Sequence, residues 1–206
     1  MNRLSLEWRF CRIDNLPDKC WLEFFIDGES LAKMLATAVR IEILKYLKRL
    51  KLIELRKYIK NRPLDLYSKT ESIGIAVLMD IWDRENGRLE HSYFAEHRSY
   101  LLAQQPPIVA DSDRVPFYVC PCCGDYDCGL IGAHVYRISD CIVWSDFRQI
   151  DYYEMVVSKR KRIPGTGDCA IEWAGIGPFI FNYAEYEQCL RNPPPIPAEF
   201  VKRFQA

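Results

Sequence analysis

Apolar and polar side chains alternate near the start of the chain in the manner of a half-buried strand. Apolar residues take every second position from Leu4 to Phe10, with polar residues between them, and a period of two is typical of a strand with one buried face. Residues 15–18 have turn composition. Residues 21–26 predict a second strand, which the following Asp-Gly pair ends, so this region predicts a two-stranded hairpin.

A long basic segment follows the hairpin. Ser30 is placed to cap a helix that begins at Leu31. From residue 39 to residue 62, apolar residues recur at spacings of three and four, which favours an amphipathic helix, although β-branched residues also permit a strand in part. Pro63 ends the segment. It carries nine basic and two acidic residues, so positive charge is concentrated on this stretch.

The middle of the chain predicts one strand and one helix. Residues 72–82 form a continuous apolar run, which is typical of a buried central strand. Residues 83–87 have turn composition, and residues 89–105 predict a helix. The Pro-Pro pair that follows ends this helix.

The C-terminal half predicts three strands, a helix and a tail. The expected strands are 115–120, 131–150 and 175–181, the first two of which flank a cysteine-rich turn. Residues 183–190 predict a short helix with Asn182 as its N-cap. Four prolines between residues 193 and 197 predict that the chain after residue 192 is extended.

Together these elements predict an α+β fold, with a mainly antiparallel sheet and helices packed on one face. The sheet is expected to contain the N-terminal hairpin, the 72–82 strand and the strands around the cysteine-rich turn. Residues 1–192 contain no composition typical of a flexible linker, so we expect a single domain. Residues 193–206 are expected to be a proline-rich C-terminal tail.

Composition and charge narrow the possible functions. The chain has 206 residues, about half of them hydrophobic, and its 28 basic residues balance 28 acidic ones. A net charge of zero gives no general attraction to nucleic acid or membranes. No run approaches the roughly 18–20 apolar residues that span a bilayer, and the N-terminus lacks the apolar core of a secretory signal. We therefore expect a cytoplasmic protein with reduced cysteines, and membranes and nucleic acid are not the favoured partners.

Four of the nine cysteines lie within nine positions of the segment FYVCPCCGDYDCGLIG. Cys120, Cys123 and Cys128 have the spacing C-x2-C-x4-C, and His134 is the nearest residue that could complete a tetrahedral zinc site. A second, well-separated C-x-x-C is absent, so the match to a zinc knuckle is incomplete. Zinc is the one cofactor that the sequence suggests, and no catalytic residue is assigned because no catalytic motif is recognised.

Two other interpretations of the cysteine-rich segment stay open. Cys120 and Cys123 form a C-x-x-C pair, and such pairs can have depressed thiol pKa values. The carboxylates of Asp125 and Asp127 would oppose thiolate formation, however. Alternatively, the cysteines are reduced, small apolar residues in a structural turn between two strands.

Several motifs occur together in three segments of the chain. The segments are WLEFFIDGESLAKML at 21–35, YVCPCCGDYDCGLIGAHVYRISDCIVWSDF at 118–147 and GPFIFNYAEYEQCL at 177–190. They contain a strand ending in DG, a C-P-x-C-G-D-x-x-C-G turn, a W-x-D-F strand end and a G-P-F-x-F strand before a helix with a tyrosine. This combination resembles a family of uncharacterised bacterial cytosolic proteins. The matching residues are Cys120, Pro121, Cys123, Gly124, Asp125, Cys128 and Gly129, then Trp144, Asp146 and Phe147, then Gly177, Pro178, Phe179, Phe181 and Tyr186.

The resemblance covers roughly a third of the chain and implies a shared fold. It implies no mechanism, although members of the family are sometimes called oxidoreductases. The chain differs from the family pattern at Cys122, where a polar residue is usual, and by its basic segment at 39–62. His134 is not part of the pattern.

The missing catalytic motif, the single small domain and the segregated charge under zero net charge favour a non-enzymatic protein-binding protein, and the resemblance implies that it belongs to the bacterial cytosol. Such segregation suits electrostatically steered association with another protein. The specific hypothesis is an immunity protein that neutralises a toxin, as in contact-dependent inhibition. The expected partner-binding residues are Lys45, Lys48, Arg49, Lys51, Arg56 and Lys57, which would meet an acidic surface, and Asp125 and Asp127, which would meet a basic one.

Two alternative functions follow from the same features. A cysteine-based redox protein or zinc-dependent protein would use Cys120, Cys123 and Cys128. A nucleic-acid binder would use the basic segments 39–62 and 158–162, and its binding would depend steeply on salt. The first of these segments lacks Phe and Trp, which are the usual platforms for base stacking.

Overall fold

The computed structural model describes residues 1–11, 19–38, 75–76, 79–83, 88–90, 92–107, 113–119, 130–150 and 175–205. The strands of this part are β1 (Leu4–Cys11), β2 (Lys19–Ile26), β3 (Glu29–Ser30), β4 (Ile75–Ala76), β5 (Met79–Asp83), β6 (Arg88–Glu90), β7 (Val115–Val119), β8 (Leu130–Ile138), β9 (Cys141–Ile150) and β10 (Phe179–Asn182). The helices are α1 (31–38), α2 (Ser92–Leu101), α3 (Tyr183–Arg191) and α4 (Ala198–Gln205).

These strands form two antiparallel sheets. In the first, the strand order is β1-β2-β5-β6, and β3 pairs with β2. In the second, the order is β10-β9-β8-β7-β4. The predicted α+β class with mainly antiparallel strands is confirmed, but the described strands are divided between two sheets where a single sheet was expected.

The predicted N-terminal hairpin is confirmed. β1 and β2 pair in register from Leu4 opposite Ile26 to Cys11 opposite Lys19. Ser30 caps α1 as expected, because its Oγ accepts a hydrogen bond from the Lys33 amide at 3.3 Å. This cap satisfies one of the amide donors that the first turn of a helix leaves without a partner.

The apolar run predicted as one central strand contributes instead to both sheets. β4 pairs with β7 in the second sheet, whereas β5 pairs with β2 and β6 in the first. A hydrophobic run has the same pattern whether it stays in one sheet or passes between two, so periodicity alone could not predict the division. The helix predicted at 89–105 is also shorter, because Arg88–Glu90 forms β6 and α2 begins at Ser92.

The C-terminal part follows the prediction with three differences. The 131–150 segment forms two strands, β8 and β9, which pair as a hairpin, and β10 begins at Phe179. Asn182 caps α3 as predicted, with Oδ1 accepting from the Glu185 amide at 3.2 Å. The segment after residue 192 is not extended throughout, because residues 198–205 form α4. Phe200 of this helix packs on Phe10 of β1, with ring centroids 5.5 Å apart.

Aromatic side chains fill the core between the two sheets. The Phe24 ring of β2 lies 5.3 Å from Phe117 of β7 and 5.6 Å from Trp144 of β9, measured between centroids. Trp144 Nε1 donates to the Tyr186 hydroxyl of α3 at 3.1 Å, and that hydroxyl donates to the Leu101 carbonyl at the end of α2 at 2.8 Å. One chain of buried contacts therefore links both sheets and two helices.

None of the helices in the described part of the chain has an apolar stretch of the length that a bilayer requires.

Candidate functional site

Most of the residues assigned from sequence lie outside the described part of the chain. They are Cys120, Cys123, Cys128, Asp125 and Asp127 of the cysteine-rich segment, and Lys45, Lys48, Arg49, Lys51, Arg56 and Lys57 of the basic segment. The segment 158–162 lies outside it as well. Zinc binding, redox chemistry and partner binding by these residues stay predictions.

His134 is the one assigned residue that the structure describes. It lies on β8 opposite Ser145 of β9, and its side chain is 32% exposed. Nε2 lies 3.0 Å from Asp113 Oδ1 without a hydrogen bond between them, and Nδ1 lies 3.9 Å from Asp146 Oδ2. Both imidazole nitrogens therefore face carboxylates.

His134 lies well along β8, away from the end of the strand that is nearest to Cys128 in the sequence. β8 begins at Leu130, two positions after Cys128. A strand rises about 3.3 Å per residue, so His134 lies roughly 13 Å along the strand from Leu130. A role for His134 as fourth zinc ligand stays a prediction, and it would require the cysteines to approach along this strand.

His134 belongs to a charged cluster, which we define as Asp113, Arg114, His134, Asp146 and Arg148. Arg114 donates from Nη2 to the Asp146 carboxylate and from Nε to the Asp146 carbonyl, the latter at 3.2 Å. Arg148 Nε donates to Asp146 Oδ1 at 3.0 Å, and Arg114 Nη1 donates to Asp113 Oδ1 at 3.2 Å. The cluster therefore holds two arginine side chains in fixed positions.

Neighbouring side chains lower the pKa of both carboxylates of the charged cluster. The contact with His134 lowers the pKa of Asp113 from its ordinary value of 3.8. Burial works to raise the pKa of Asp146, but the hydrogen bond from Arg148 and the charge of Arg114 outweigh it, and the net pKa is lowered. Both groups are therefore negatively charged at neutral pH.

A β-bulge in β9 places Asp146 outside the core. Gly132 pairs with Arg148 and His134 pairs with Ser145, so two residues of β9, Asp146 and Phe147, lie opposite one residue of β8. Asp146 takes φ of 53°, a left-handed conformation that Asp tolerates better than most residues. The extra residue shifts the alternation, so that Phe147 is buried although it lies three positions after buried Trp144.

Substitution of Asp146 should separate its backbone role from its charge. Asp146→Val is expected to lower the free energy of unfolding by about 2 kcal/mol, because a β-branched residue is strained at positive φ. Asp146→Asn should cost less, about 1 kcal/mol or below, since Asn accepts this conformation and loses mainly the exposed ion pairs. Urea unfolding would measure both. Equal losses would mean that the charge, and not the backbone, limits this position.

An apolar patch lies beside the charged cluster on the outer face, which is the side of β8, β9 and β10 opposite the core. Tyr136, Val143 and Ile180 are cross-strand partners on three neighbouring strands. The first and last are 41% and 40% exposed, whereas Val143 between them is nearly buried. The row therefore presents an aromatic ring and an aliphatic side chain to solvent on either side of Val143.

The same patch continues along the hairpin end. Ile138 pairs with Cys141 and is 56% exposed. Met1 is 85% exposed, and its Sδ lies 3.9 Å from Cys141 Sγ. Among the residues whose side-chain exposure the structure describes, the large hydrophobic side chains that are exposed are Met1, Tyr136, Ile138 and Ile180, and all of them belong to this one patch.

The sequence of β8 departs from simple alternation of apolar and polar residues, and this departure is a signal for the outer face. Residues 134–138 are His-Val-Tyr-Arg-Ile, so apolar residues occur on both faces of the strand. A strand that is apolar on both faces indicates that both faces are covered. Asp113, Arg114 and Arg148 carried no comparable signal, because their approach depends on the pairing of β7, β8 and β9.

Within the described ranges, no group of three or more His, Cys, Asp or Glu side chains is arranged to hold a metal ion.

Comparison with known proteins gave no match: no family model matches the chain, and no curated protein or solved structure is significantly similar to it. The resemblance of the three motif segments therefore stays a prediction. The outer face, with its apolar patch and charged cluster, is the candidate functional site.

Proposed function

We propose that this protein is a non-enzymatic protein-binding protein of the bacterial cytosol, an immunity protein that neutralises a toxin by binding it. The toxin would dock on the outer face of β8, β9 and β10. The observation that carries the proposal is the gathering of exposed large hydrophobic side chains of the described part on this one face. Single exposed apolar residues are ordinary, but a contiguous group beside polar residues is typical of an interaction site.

The charged cluster suits the edge of such an interface. Aromatic residues and arginine are enriched at protein interfaces, and the strongest contacts often involve Tyr and Arg. Tyr136 supplies the aromatic ring, and Arg114 and Arg148 are already held by Asp146. Because the arginine side chains are ordered before binding, a partner would lose less conformational entropy in contacting them.

The direct test is capture of the partner from the native host, followed by a neutralisation assay. The tagged protein would be purified gently, co-purifying proteins identified by mass spectrometry, and zinc measured on the same sample. We expect a stoichiometric protein that is toxic when expressed alone and harmless when this protein is co-expressed. A lone protein with about one zinc per chain, or a trapped mixed disulfide, would contradict the proposal and favour the cysteine-based alternative.

Surface variants would then locate the interface. Ile138→Glu and Tyr136→Ala are expected to weaken binding of the captured partner about tenfold or more, as truncation or charging of a central interface residue does. Arg191→Ala is a matched control, because Arg191 is exposed and pairs with Glu187 within α3, away from the outer face. If the outer-face variants bind and neutralise as well as the control, the partner docks elsewhere.

A further inference from the structure

β1 forms one edge of the first sheet in the described part of the chain. The Asp27 amide donates to the Arg3 carbonyl at 2.9 Å, which marks this pair as the hydrogen-bonded kind. Residues of an antiparallel ladder alternate between main-chain groups that point to the partner strand and groups that point away. Since Arg3 bonds toward β2, the main-chain N–H and C=O groups of Leu4 and Leu6 point to the open edge.

Just before β1, Asn2 already pairs with β10 on this side of the sheet. The Asn2 amide donates to the Ile180 carbonyl at 2.7 Å, and Asn2 Oδ1 accepts from the Ile180 amide at 2.9 Å. β1 and β10 then separate. No described residue forms a main-chain hydrogen bond with Leu4 or Leu6 across this edge.

A groove follows the open edge where the two strands separate. The half beside β1 has a volume of about 660 Å³ and is lined by residues 3–6 of β1, the turn at residues 27–28, Cys189, Asn192 and Pro194. It adjoins a second half of about 600 Å³ against α3. Both volumes fall within the range of sites that hold ligands. At the far end, Trp8 Nε1 donates to the Pro194 carbonyl at 2.8 Å, which limits the open edge to the start of β1.

One basic side chain, Arg3, and two acidic ones, Asp27 and Glu185, line the groove, so Arg3 is the group to which an acidic side chain of a ligand would bind. Asp27 already accepts hydrogen bonds from Asn2 Nδ2 and from the Arg3 amide, both at 2.7 Å, and the first of these lowers its pKa most. Arg3 lines both halves of the groove, and its guanidinium forms no ion pair with a described residue. Glu185 lies in the other half, against α3.

We propose that this groove binds an extended peptide segment, which adds a strand to β1 at Leu4–Leu6 and places an acidic side chain against Arg3. Main-chain hydrogen bonds would supply affinity, as in other cases in which a peptide joins an exposed sheet edge. The N–H and C=O groups of Leu4 and Leu6, which no described residue pairs across this edge, are the donors and acceptors that a peptide main chain completes. The groove is separate from the outer face, and the inference does not depend on the proposed toxin neutralisation.

Capped hexapeptides with alternating Val and Thr and one central Glu would serve as the probe, titrated into the isotope-labelled full-length protein. Amide shifts are expected at residues 3–6, 27–28 and 189–192, and amide exchange at Leu4 and Leu6 should slow. N-methylation of the peptide at alternate amides should weaken binding about tenfold or more, because each main-chain hydrogen bond contributes to affinity. Replacing the central Glu by Lys should also weaken it.

Two variants complete the test. Arg3→Gln should weaken binding of the Glu peptide by up to about fivefold, whereas Arg9→Gln should not, although Arg9 is an exposed arginine on the same strand that pairs with Glu7. Ile138→Glu should leave peptide binding unchanged, which separates this site from the outer face. Absence of binding, shifts outside the groove, or equal binding of the N-methylated peptide would each overturn the proposal.

Discussion

Replacing Glu23 by alanine is expected to lower the free energy of unfolding by about 3–5 kcal/mol, because several donors lose the carboxylate that accepts their hydrogen bonds. Glu23 is 3% exposed, although it carries a carboxylate. It accepts hydrogen bonds from the Tyr118 hydroxyl at 2.6 Å, from Ser30 Oγ and the Ala32 amide at 3.2 Å, and from Trp21 Nε1 at 3.3 Å. All four partners are donors, as an ionised carboxylate requires.

The size of this effect follows from what the truncation leaves behind. Four donors would lose their acceptor, and each buried unsatisfied polar group costs about 1–3 kcal/mol. An anion would also be lost from the first turn of α1, where the helix dipole favours negative charge. The bond to Tyr118 joins β2 of the first sheet to β7 of the second, so the two sheets would lose a polar contact. Chemical denaturation followed by tryptophan fluorescence would measure the change.

Glu7 provides a matched control for Glu23. The two glutamates lie opposite each other in the β1–β2 register, but Glu7 is exposed and pairs with Arg9 at 3.3 Å. Glu7→Ala is expected to change the free energy of unfolding by less than about 0.5 kcal/mol. Similar losses in the two variants would show that the buried network does not stabilise the fold.

Tyr118 gives the same network a dependence on alkaline pH. Burial, and then the nearby Glu23 charge, raises the pKa of Tyr118 well above its ordinary value of 10.0. The folded protein holds this proton more tightly than the unfolded chain, so the contribution to stability is complete below about pH 10 and falls as pH rises above it. Tyr118→Phe should cost about 2 kcal/mol at neutral pH, the value of a hydrogen bond to a charged group. It should also flatten the alkaline decline.

Trp144→Ala is the second substitution with a large expected effect, a loss of about 3–5 kcal/mol. Trp144 is fully buried. Its ring lies 4.6 Å from Phe117, 4.7 Å from Phe181, 5.6 Å from Phe24 and 5.7 Å from Tyr186 between centroids. Removing it leaves a cavity that these rings, held on both sheets and on α3, can fill only in part. Thermal and urea unfolding would measure the loss.

Two tyrosine variants, one beside Trp144 and one on the outer face, would separate packing from hydrogen bonding. Tyr186→Phe keeps the ring but removes the hydroxyl that accepts from Trp144 and donates to the Leu101 carbonyl, and should cost about 1–2 kcal/mol. Tyr136→Ala removes an aromatic ring from the exposed outer face and should cost less than about 1 kcal/mol. If Trp144→Ala cost no more than Tyr136→Ala, the aromatic cluster would not be the main core.

The local elements that sequence predicted correctly are those whose signals lie within a few residues. The alternation from Leu4 to Phe10 predicted β1 because side chains of a strand alternate between its faces. Ser30 and Asn182 predicted helix starts because a side-chain oxygen there can accept an amide of the first turn. These relations depend on spacing along the chain, and spacing is visible in the sequence.

The errors arose where distant segments decide the structure. Residues 72–82 read as one strand, and only their pairing partners, β7 for β4 and β2 for β5, divide them between two sheets. Phe200 lies in a proline-rich tail that was expected to be extended, but its helix packs against Phe10. Burial against another segment stabilises a short helix that local propensity would not predict.

In the candidate site, too, the sequence showed the residue types, and contacts between distant segments decided their surroundings. His134 was visible as a residue type, but the carboxylates that face it come from β9 and from the residue before Arg114. Glu23 lies in the apolar strand β2, and the hydrogen bond that it accepts in the core comes from Tyr118, 95 positions later.

Sequence alone therefore determined the α+β class, the hairpin and the helix caps of this protein, because these depend on short-range periodicity and hydrogen bonding. The apolar patch, the charged cluster, the buried carboxylate and the open edge of β1 depend on strand pairing, which brings together residues far apart in the chain.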